Sequence, residues 1–231
     1  MNLNSMIPEA FHSRLEALSD AFLKENQKLN LSAMRTKELN WYGNIVDSLA
    51  ILDTPLLLQD SSDLRILDLG TGGGYPLLPL AICREKCRFT GLDSIGKKMD
   101  AVSRIIAALD IMNAETVTGR AEDLGHDERY REHFDLVLSR AVAPLNVLLE
   151  WCAPFAKVGG RVVAWKSMKI DAELTESLLA RAELSCHLTD QYRYELPAGW
   201  GERQLLVFQK TFKTNEKYPR SAAMIKKHPL R

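Results

Sequence analysis

The chain reads as an α/β protein built on a doubly wound, mostly parallel sheet of seven strands with an antiparallel ending. Three observations predict this. Residues 65–93 run from an apolar strand (Ile66, Leu67, Leu69) through glycines at 70, 72, 73 and 74 into a helix, then into a second strand that ends on Asp93. Strand-like and helix-like stretches keep alternating to about residue 165, as crossover helices between parallel strands require. Two last strands joined by a short loop then suit an antiparallel pair.

In chain order, residues 8–25 read as an amphipathic helix, with Pro8 near its start and Phe11, Leu15, Leu18 and Phe22 at helical spacing. Residues 28–36 are a polar link. Thr36 suits the N-cap of a second helix with Leu39, Tyr42, Val46 and Leu49 on one face. Pro55 and the polar run Gln59 to Asp63 end this section, and its apolar stripes are expected to pack on the sheet as an N-terminal helical extension, residues 1–58. The first strand, 65–69, follows. Pro76 and Pro79 sit early in the next helix, where missing N–H donors are tolerated. The second strand is Arg88 to Leu92. A helix over 95–109 points Met99, Val102, Ile105, Ile106 and Leu109 inward. Its Lys97 and Lys98 suit either a solvated face, the reading preferred on their pattern, or a substrate phosphate. Ala114 to Thr118 is a third strand and 134–141 a fourth. Pro144 opens a helix to about Phe155, Gly159–Gly160 turns into a fifth strand (Arg161 to Trp165), and Asp171 caps a helix through Leu184. The final strands are about 186–194 and 204–210.

With 231 residues and 46% hydrophobic content, the chain suits one domain with an extension, residues 59–212 forming the main body. Formal net charge is zero, so nucleic-acid binding would need a local patch. Such a patch exists: residues 213–231, a basic tail, carry six basic side chains and one acid, net +5, against −5 for the rest. Phe212 and Tyr218 are interleaved there and suit base stacking; a solvated terminal tail is the alternative. Cys83, Cys87, Cys152 and Cys186 form no zinc or disulfide pattern and fit a reducing cytoplasm, and no metal site is expected. No secretory signal is read at the N-terminus, and no apolar run approaches the ~20 residues of a spanning helix.

The glycine loop distinguishes between ligands. The dinucleotide pattern G-x-G-x-x-G, started at Gly70, meets Tyr75 at its last position, where a large ring blocks close helix–strand packing. The pattern D-x-G-x-G-x-G fits at Asp68, Gly70, Gly72 and Gly74, and resembles the first motif of the Rossmann-like class I S-adenosylmethionine (SAM) methyltransferases. In such a sheet ligands bind outside the carboxyl ends of the strands. The loop from Gly70 to Gly74 can face the methionine part, Asp93 can accept from ribose hydroxyls, Ala121 and Glu122 can edge the adenine, and Arg140 ends the fourth strand. Tyr75 suits cofactor packing or core packing. No D/N/S-P-P-Y/F motif of amino-group methyltransferases follows the fourth strand, and Cys152 precedes Ala153–Pro154 in the wrong order for the Pro-Cys nucleophile of ring-carbon methylation. An acceptor that is already nucleophilic, such as guanine N7, needs neither.

Eight segments carry a closer resemblance: LNLSAMR (29–35), NIVDSL (44–49), DLGTGGGYPLLPLAI (68–82), GLDSIGKKMD (91–100), RAEDL (120–124), SRAVAPL (139–145), GERQLLVF (201–208) and YPR…KKHPL (218–230). Together they resemble the RsmG (GidB) family of bacterial 16S rRNA guanine-N7 methyltransferases. The chain departs from that family at Asn44, where His is usual ahead of the Asp-Ser pair, and in the tail at Ala222, Ala223 and Ile225. The resemblance implies SAM as methyl donor, a guanine in the 530 loop of 16S rRNA or of the small ribosomal subunit as acceptor, and SAM contacts at Gly70, Tyr75, Ala121, Glu122 and Arg140. Gly72 and Asp93 join these from the loop pattern itself. No catalytic side chain is assigned. The expected protein is cytoplasmic, binds no membrane and is a monomer by default. Three other readings stand beside it: a methyltransferase for another RNA, a small molecule or a protein; a nicotinamide-dependent dehydrogenase, which Tyr75 disfavours; and a non-catalytic RNA-binding module of this fold.

Overall fold

The computed structural model describes residues 9–58 and 60–231. Pro8, Gln59 and the N-terminal stretch read for a leader lie outside these residues. The strands are β1 (Arg65–Leu69), β2 (Arg88–Asp93), β3 (Ala114–Thr118), β4 (Phe134–Arg140), β5 (Ala156–Ser167), β6 (Cys186–Leu196) and β7 (Gly201–Lys210). They form one sheet in the order β3-β2-β1-β4-β5-β7-β6. Pairing is parallel from β3 through β5, and β7 inserts antiparallel between β5 and β6. The strand order reverses between β1 and β4, so the two strands splay a crevice at their carboxyl ends. β5 begins at Ala156 rather than Arg161. Its glycine pair stays in the sheet because Gly159 adopts φ 83° and the chain at Gly160 packs against the carbonyls of Phe134 and Asp135, beside a register shift in β4.

Side chains alternate across the sheet and feed two cores. Ile66, Leu136, Leu138, Val163 and Val207 face one; Leu67, Val137, Val162, Leu206 and Phe208 face the other. The first core is covered by α1 (Glu9–Leu29), the segment 37–53, α4 (Leu77–Cys83) and α5 (Gly96–Ala108); the second by α7 (Leu145–Cys152), α9 (Leu178–Glu183) and the C-terminal residues. Leu15, Leu18 and Phe22 of α1 are fully buried, as their spacing predicts. Glu25 in the same helix accepts from Arg104 of α5 at 2.6 Å, and Asn26 pins the following link through Ser32 and Met34.

The second predicted helix needs a correction. Thr36 does cap it, accepting from the Leu39 N–H at 3.2 Å. The helix then runs as α2 (Lys37–Asn40), a π turn (Trp41–Val46), α3 (Asp47–Leu49) and a 3₁₀ turn (Ala50–Asp53). Val46 and Leu49 are buried and Tyr42 packs against the core as the stripe predicts, but Leu39 is exposed, and across the wider π turn Asn40, Asn44, Asp47 and Ser48 turn inward as well. The predicted helix over 171–184 is also divided, into α8 (Asp171–Glu176) and α9. At Ser177 the hydroxyl donates back to the Leu174 carbonyl and ψ opens to −1°.

The C-terminal residues pack on the second core. Ala121 of α6 (Ala121–Leu124), the inward face of α7, Tyr218 and Leu230 meet there, and α10 (Ala222–Lys227) lies between the last two in the chain. Tyr218 is 2% exposed and its hydroxyl donates to Glu183 at 2.8 Å. Arg131 donates to the carbonyls of Tyr218, Thr214 and Asn215. Glu150 of α7 is 0% exposed and receives both the Nε and Nη2 of Arg220 at 2.7 Å, plus its backbone N–H at 3.0 Å. The solvated-tail alternative is therefore overturned, and Tyr218 is not free to stack on a base.

Removing one partner of a buried ion pair strands the other charge, which costs about 3–5 kcal/mol. Arg220→Ala should therefore lower the melting temperature by about 10 °C or more in a chain of this size. Replacing Glu150 and Arg220 together by leucines should restore much of that. A thermal melt in which the single variant matches the parent would show that the Glu150–Arg220 pair contributes nothing.

Candidate functional site

The glycine turn is held open by a carboxylate. Asp93, at the end of β2, accepts from the Gly72 N–H at 3.0 Å through one oxygen and from the Ile95 N–H at 2.9 Å through the other. The Leu92 carbonyl accepts from the N–H groups of Gly70 and Thr71. The turn after β1 is thus tied to the end of β2. Gly70 has φ 76° and a Cβ there would lie 2.6 Å from the Val142 side chain. Gly72 has φ 56°, but a Cβ there would meet only the Gly70 carbonyl, at 3.8 Å. Its outer side faces open space, where a ligand can approach the backbone.

Two adjoining lobes meet at this turn. One, of about 190 Å³, is lined by Gly70, Asp93, Ala121, Glu122 and Trp151. The other, of about 350 Å³, is lined by Gly72, Tyr75, Lys98, Arg140 and Val142, and shares Gly70 and Asp93 with the first. All seven residues singled out in the sequence therefore line these two adjoining lobes, across the carboxyl ends of four strands. Of the two lysines weighed earlier, Lys98 lines the cleft and Lys97 is exposed. Glu122 also accepts from the Trp151 indole at 3.1 Å, so one of its oxygens is already engaged. The Tyr75 ring is buried edge-on against Phe22, with centroids 4.9 Å apart, and its hydroxyl accepts from Asn40 at 3.2 Å. Tyr75 belongs to the first core and to the cleft wall at once.

Arg140 is where the helical segment enters the site. Its Nη1 donates to Asp47 at 2.9 Å and to the Gly43 carbonyl, and its Nη2 donates to Asn44 Oδ1 at 2.8 Å. Asn44 donates onward to Asn40, which reaches Ser19 and Tyr75. Asp47 also receives the Tyr194 hydroxyl at 2.6 Å, and its carbonyl the Trp165 indole at 2.9 Å. Asn40, Asn44 and Asp47 were not assigned from the sequence. The available signal was polar residues recurring at helical spacing, 40, 44 and 47, among apolar ones.

Electrostatics mark the turn as polar and costly. Asp68 at the end of β1 is buried, and one carboxyl oxygen accepts from the Leu77 N–H at 3.1 Å. Its other oxygen and the Thr71 hydroxyl lie close to each other without the geometry of a full hydrogen bond, and neither has another partner among the described residues. Burial pushes the Asp68 carboxyl up to about 6, with the Thr71 hydroxyl, the Leu77 N–H and Arg140 opposing and the nearby Asp93 adding to it. Each unsatisfied buried group costs about 1–3 kcal/mol, which a loop used only for turning the chain has no reason to carry. All four cysteines are buried and free, and burial pushes the Cys83 and Cys186 thiols up to about 12 and raises Cys152 too, so none is a ready thiolate. Among the described residues no group of three metal-ligating side chains comes together, and no helix is long and apolar enough to cross a membrane.

SAM fits these residues. The cleft offers glycine backbone without Cβ atoms for close approach, carboxylates at Asp93 and Glu122 for hydroxyl and amino donors, and an unsatisfied polar pair beneath the turn. For the cofactor-free protein the Asp68 shift sets a pH dependence. The unfolded carboxyl ionises near 3.8 and the folded one near 6, so stability is lost as pH rises through this window and the full cost, about 3 kcal/mol, applies above it. Asp68→Asn should be more stable than the parent at pH 7.5, with the gap shrinking towards pH 4. A gap that does not change with pH in thermal melts would refute the buried-carboxyl assignment.

Similarity to known proteins agrees with this geometry. The fold is shared with two proteins of solved structure: Aeropyrum pernix fibrillarin in complex with SAM (TM-score 0.56, 14% identity, 73% of this chain and 76% of that one) and the SAM-dependent methyltransferase SibL (TM-score 0.54, 20% identity, 76% and 59%). Sequence similarity is much closer to ribosomal RNA small subunit methyltransferase G of Carboxydothermus hydrogenoformans, 37% identical over 90% of this chain and 87% of that protein. The same protein of Thermoanaerobacter pseudethanolicus is 36% identical over 96% and 92%. The family model of rRNA small subunit methyltransferase G matches residues 12–196, a span that takes in α1, the π turn, the glycine loop and Arg140. The chain belongs to the rRNA small subunit methyltransferase G (GidB) family.

Proposed function

We propose that this SAM-dependent methyltransferase methylates N7 of a guanine in the 530 loop of 16S rRNA, working as a cytoplasmic monomer on the small ribosomal subunit or its RNA. The observation that carries the reading is the pair of adjoining lobes that gathers Gly70, Gly72, Tyr75, Asp93, Ala121, Glu122 and Arg140 in a chain of this family. In the reaction the N7 lone pair forms the new N–CH₃ bond as the S–CH₃ bond breaks, its electrons stay on sulfur, and the positive charge passes from sulfur to the base. No proton moves, so no general base is required. The residues contribute binding and alignment. The backbone of the Gly70–Gly72 turn lets the donor approach closely, Asp93 and Glu122 offer acceptors along it, and Tyr75 and Val142 wall the cleft against water.

RNA contact needs exposed cations. Arg220 is committed to Glu150, Lys217 to Glu183, and Arg231 lies 3.6 Å from Glu176. Lys213, Lys226 and Lys227 are exposed with no carboxylate partner among the described residues, and Phe212, 69% exposed, is free to stack. We infer that residues 213–231 meet RNA through these groups, while Arg220 holds the segment in place.

The direct test is to incubate the protein with labelled SAM and small subunits or naked 16S rRNA, then map the label. Label on a guanine of the 530 loop that behaves as N7-methylguanine on borohydride and aniline scission is the expected result. Transfer to another base, or to small molecules only, would refute the reading. For the donor site, Gly72→Ala should cost the fold about 1–2 kcal/mol through its left-handed backbone and weaken SAM binding by tenfold or more, read by calorimetry on folded protein. Undiminished affinity would move the donor away from this turn. For the tail, the triple variant Lys213→Ala, Lys226→Ala, Lys227→Ala should flatten the log–log salt dependence of rRNA binding by about two units, at roughly 0.7 per phosphate contact, with SAM affinity unchanged. Equal slopes would remove this face from the RNA interface.

A further inference from the structure

The π turn contains a glycine that its backbone conformation does not require. Gly43 sits inside Trp41–Val46 and is not among the glycines with positive φ. At an ordinary φ inside a helical turn, glycine costs stability relative to alanine, so the missing Cβ points to a close approach. A Cβ there would lie 2.9 Å from Cζ3 of Trp200 and 3.0 Å from Cε of Met34. Trp200 is half-buried at the tip of the β6–β7 hairpin and packs on the first core. Its ring lies 6.3 Å from that of Tyr42, centroid to centroid, tilted by 36°. Met34, Tyr42 and Trp200 thus form a collar around one bare stretch of backbone. The hairpin bends to reach it. Ala198, Gly199 and Gly201 have φ 57°, 74° and 81°, and the alanine adopts that conformation at a cost. Trp200 lies past residue 196, where the match to the family model ends.

The residue under the ring is one of three that hold Arg140. The Gly43 carbonyl accepts from Nη1 at 3.1 Å, Asp47 accepts from Nη1 at 2.9 Å, and Asn44 accepts from Nη2 at 2.8 Å. The guanidinium centre stands 5.9 Å from the centroid of the Tyr75 ring, in the lobe that Gly72 also lines. We propose that Trp200 is a positioning residue for methyl transfer: seated on Gly43, it fixes the π turn against the sheet, and the turn in turn holds the Arg140 guanidinium in the wall of the donor cleft. This rests on the reading that SAM occupies that cleft. Contact, not charge, makes the hold. π geometry is rare and persists where its surroundings fix it. A backbone carbonyl moves with its chain, so the place of the guanidinium follows the place of the turn. An indole on the Cα opposes that movement, being large and rigid with few torsions to freeze. A ring that merely filled core space would not need bare backbone beneath it at a residue that binds Arg140.

The test uses the full chain and reads SAM affinity by calorimetry, kcat and KM on 16S rRNA, and the melting temperature. Trp200→Ala should weaken SAM binding about tenfold and lower kcat, with the KM for RNA within about twofold of the parent. Trp200→Phe should recover part of the loss, since a smaller ring still reaches the slot; it also serves if the alanine variant does not fold. Gly43→Ala puts a methyl group where the ring sits and should match Trp200→Ala. In the double variant the methyl meets no ring and the Met34 thioether can give way, so the loss should not exceed that of Trp200→Ala alone, as for two residues acting as one unit. Losses that add in the double variant would separate ring from slot and overturn the proposal. Folded variants that melt lower yet keep the parent's SAM affinity and kcat would make Trp200 a packing residue and overturn it as well. A raised KM for RNA with unchanged SAM affinity would move Trp200 to the acceptor side, with the same consequence. If Gly72→Ala leaves SAM affinity intact, the donor lies elsewhere, the reading of the cleft fails, and this proposal fails with it.

Discussion

Asp47 holds the N-terminal helices and the sheet in a single geometry. One oxygen receives Arg140 from the end of β4, the other receives Tyr194 from β6, and its carbonyl receives Trp165 from β5. Three strands are therefore tied to one short helix through one residue. A buried ion pair of this kind is a poor source of net stability, because desolvation offsets most of the attraction. Its effect is registry. An apolar contact among these elements would tolerate sliding and rotation, whereas a residue with three directional partners, two on its carboxylate and one on its backbone carbonyl, admits one arrangement. The cleft takes its shape from that arrangement, since Arg140 is part of its wall.

The π turn at Trp41–Val46 serves the same geometry. Of the expected stripe, Val46 and Leu49 are buried and Tyr42 packs on the core, while Leu39 is exposed. The wider turn brings Asn40, Asn44 and Asp47 inward together, and each finds a partner. Buried polar groups are tolerable only when their hydrogen bonds are made, and here the network runs from Ser19 in α1 through Asn40 to both Tyr75 and Arg140. Asn44 fills its place by accepting from Arg140 and donating to Asn40, a pairing that suits an amide with a carbonyl oxygen and an amino group side by side. Asn44 therefore has a defined structural task in this chain.

Charge is treated differently at the two ends of the molecule. At the cleft, Asp93 is neutralised by backbone N–H groups and Asp68 is kept short of partners by burial, so the turn carries a polar demand that a ligand can meet. At the C-terminal end, the net +5 of residues 213–231 is partly spent inside the protein, with Arg220 and Lys217 holding the segment to α7 and α9. The remaining lysines stand on a docked surface, which presents them in fixed positions at a smaller ordering cost than a free tail would bear on binding RNA.

Patterns confined to neighbouring residues were legible in the sequence. Strand alternation, the Asp68-to-Gly74 turn, Asp93 at the end of the next strand and the Thr36 cap are each set by local sterics and hydrogen bonding, and the structure reproduces them. The seven-stranded mixed sheet followed from the order of those elements. Long-range burial decided the rest. Tyr218 reads as a stacking aromatic and is a core residue, because Glu183 and the face of α7 lie more than thirty residues away in the chain. Arg220 reads as a free cation and is a buried anchor for the same reason. The inward polar face of the second helix could not be read from its apolar stripe, since what favours the π turn is the set of partners that Ser19, Tyr75 and Arg140 supply from three other elements. The seat of Trp200 on Gly43, likewise, exists only where the tip of the β6–β7 hairpin folds back onto the π turn, and no spacing along the chain encodes that meeting.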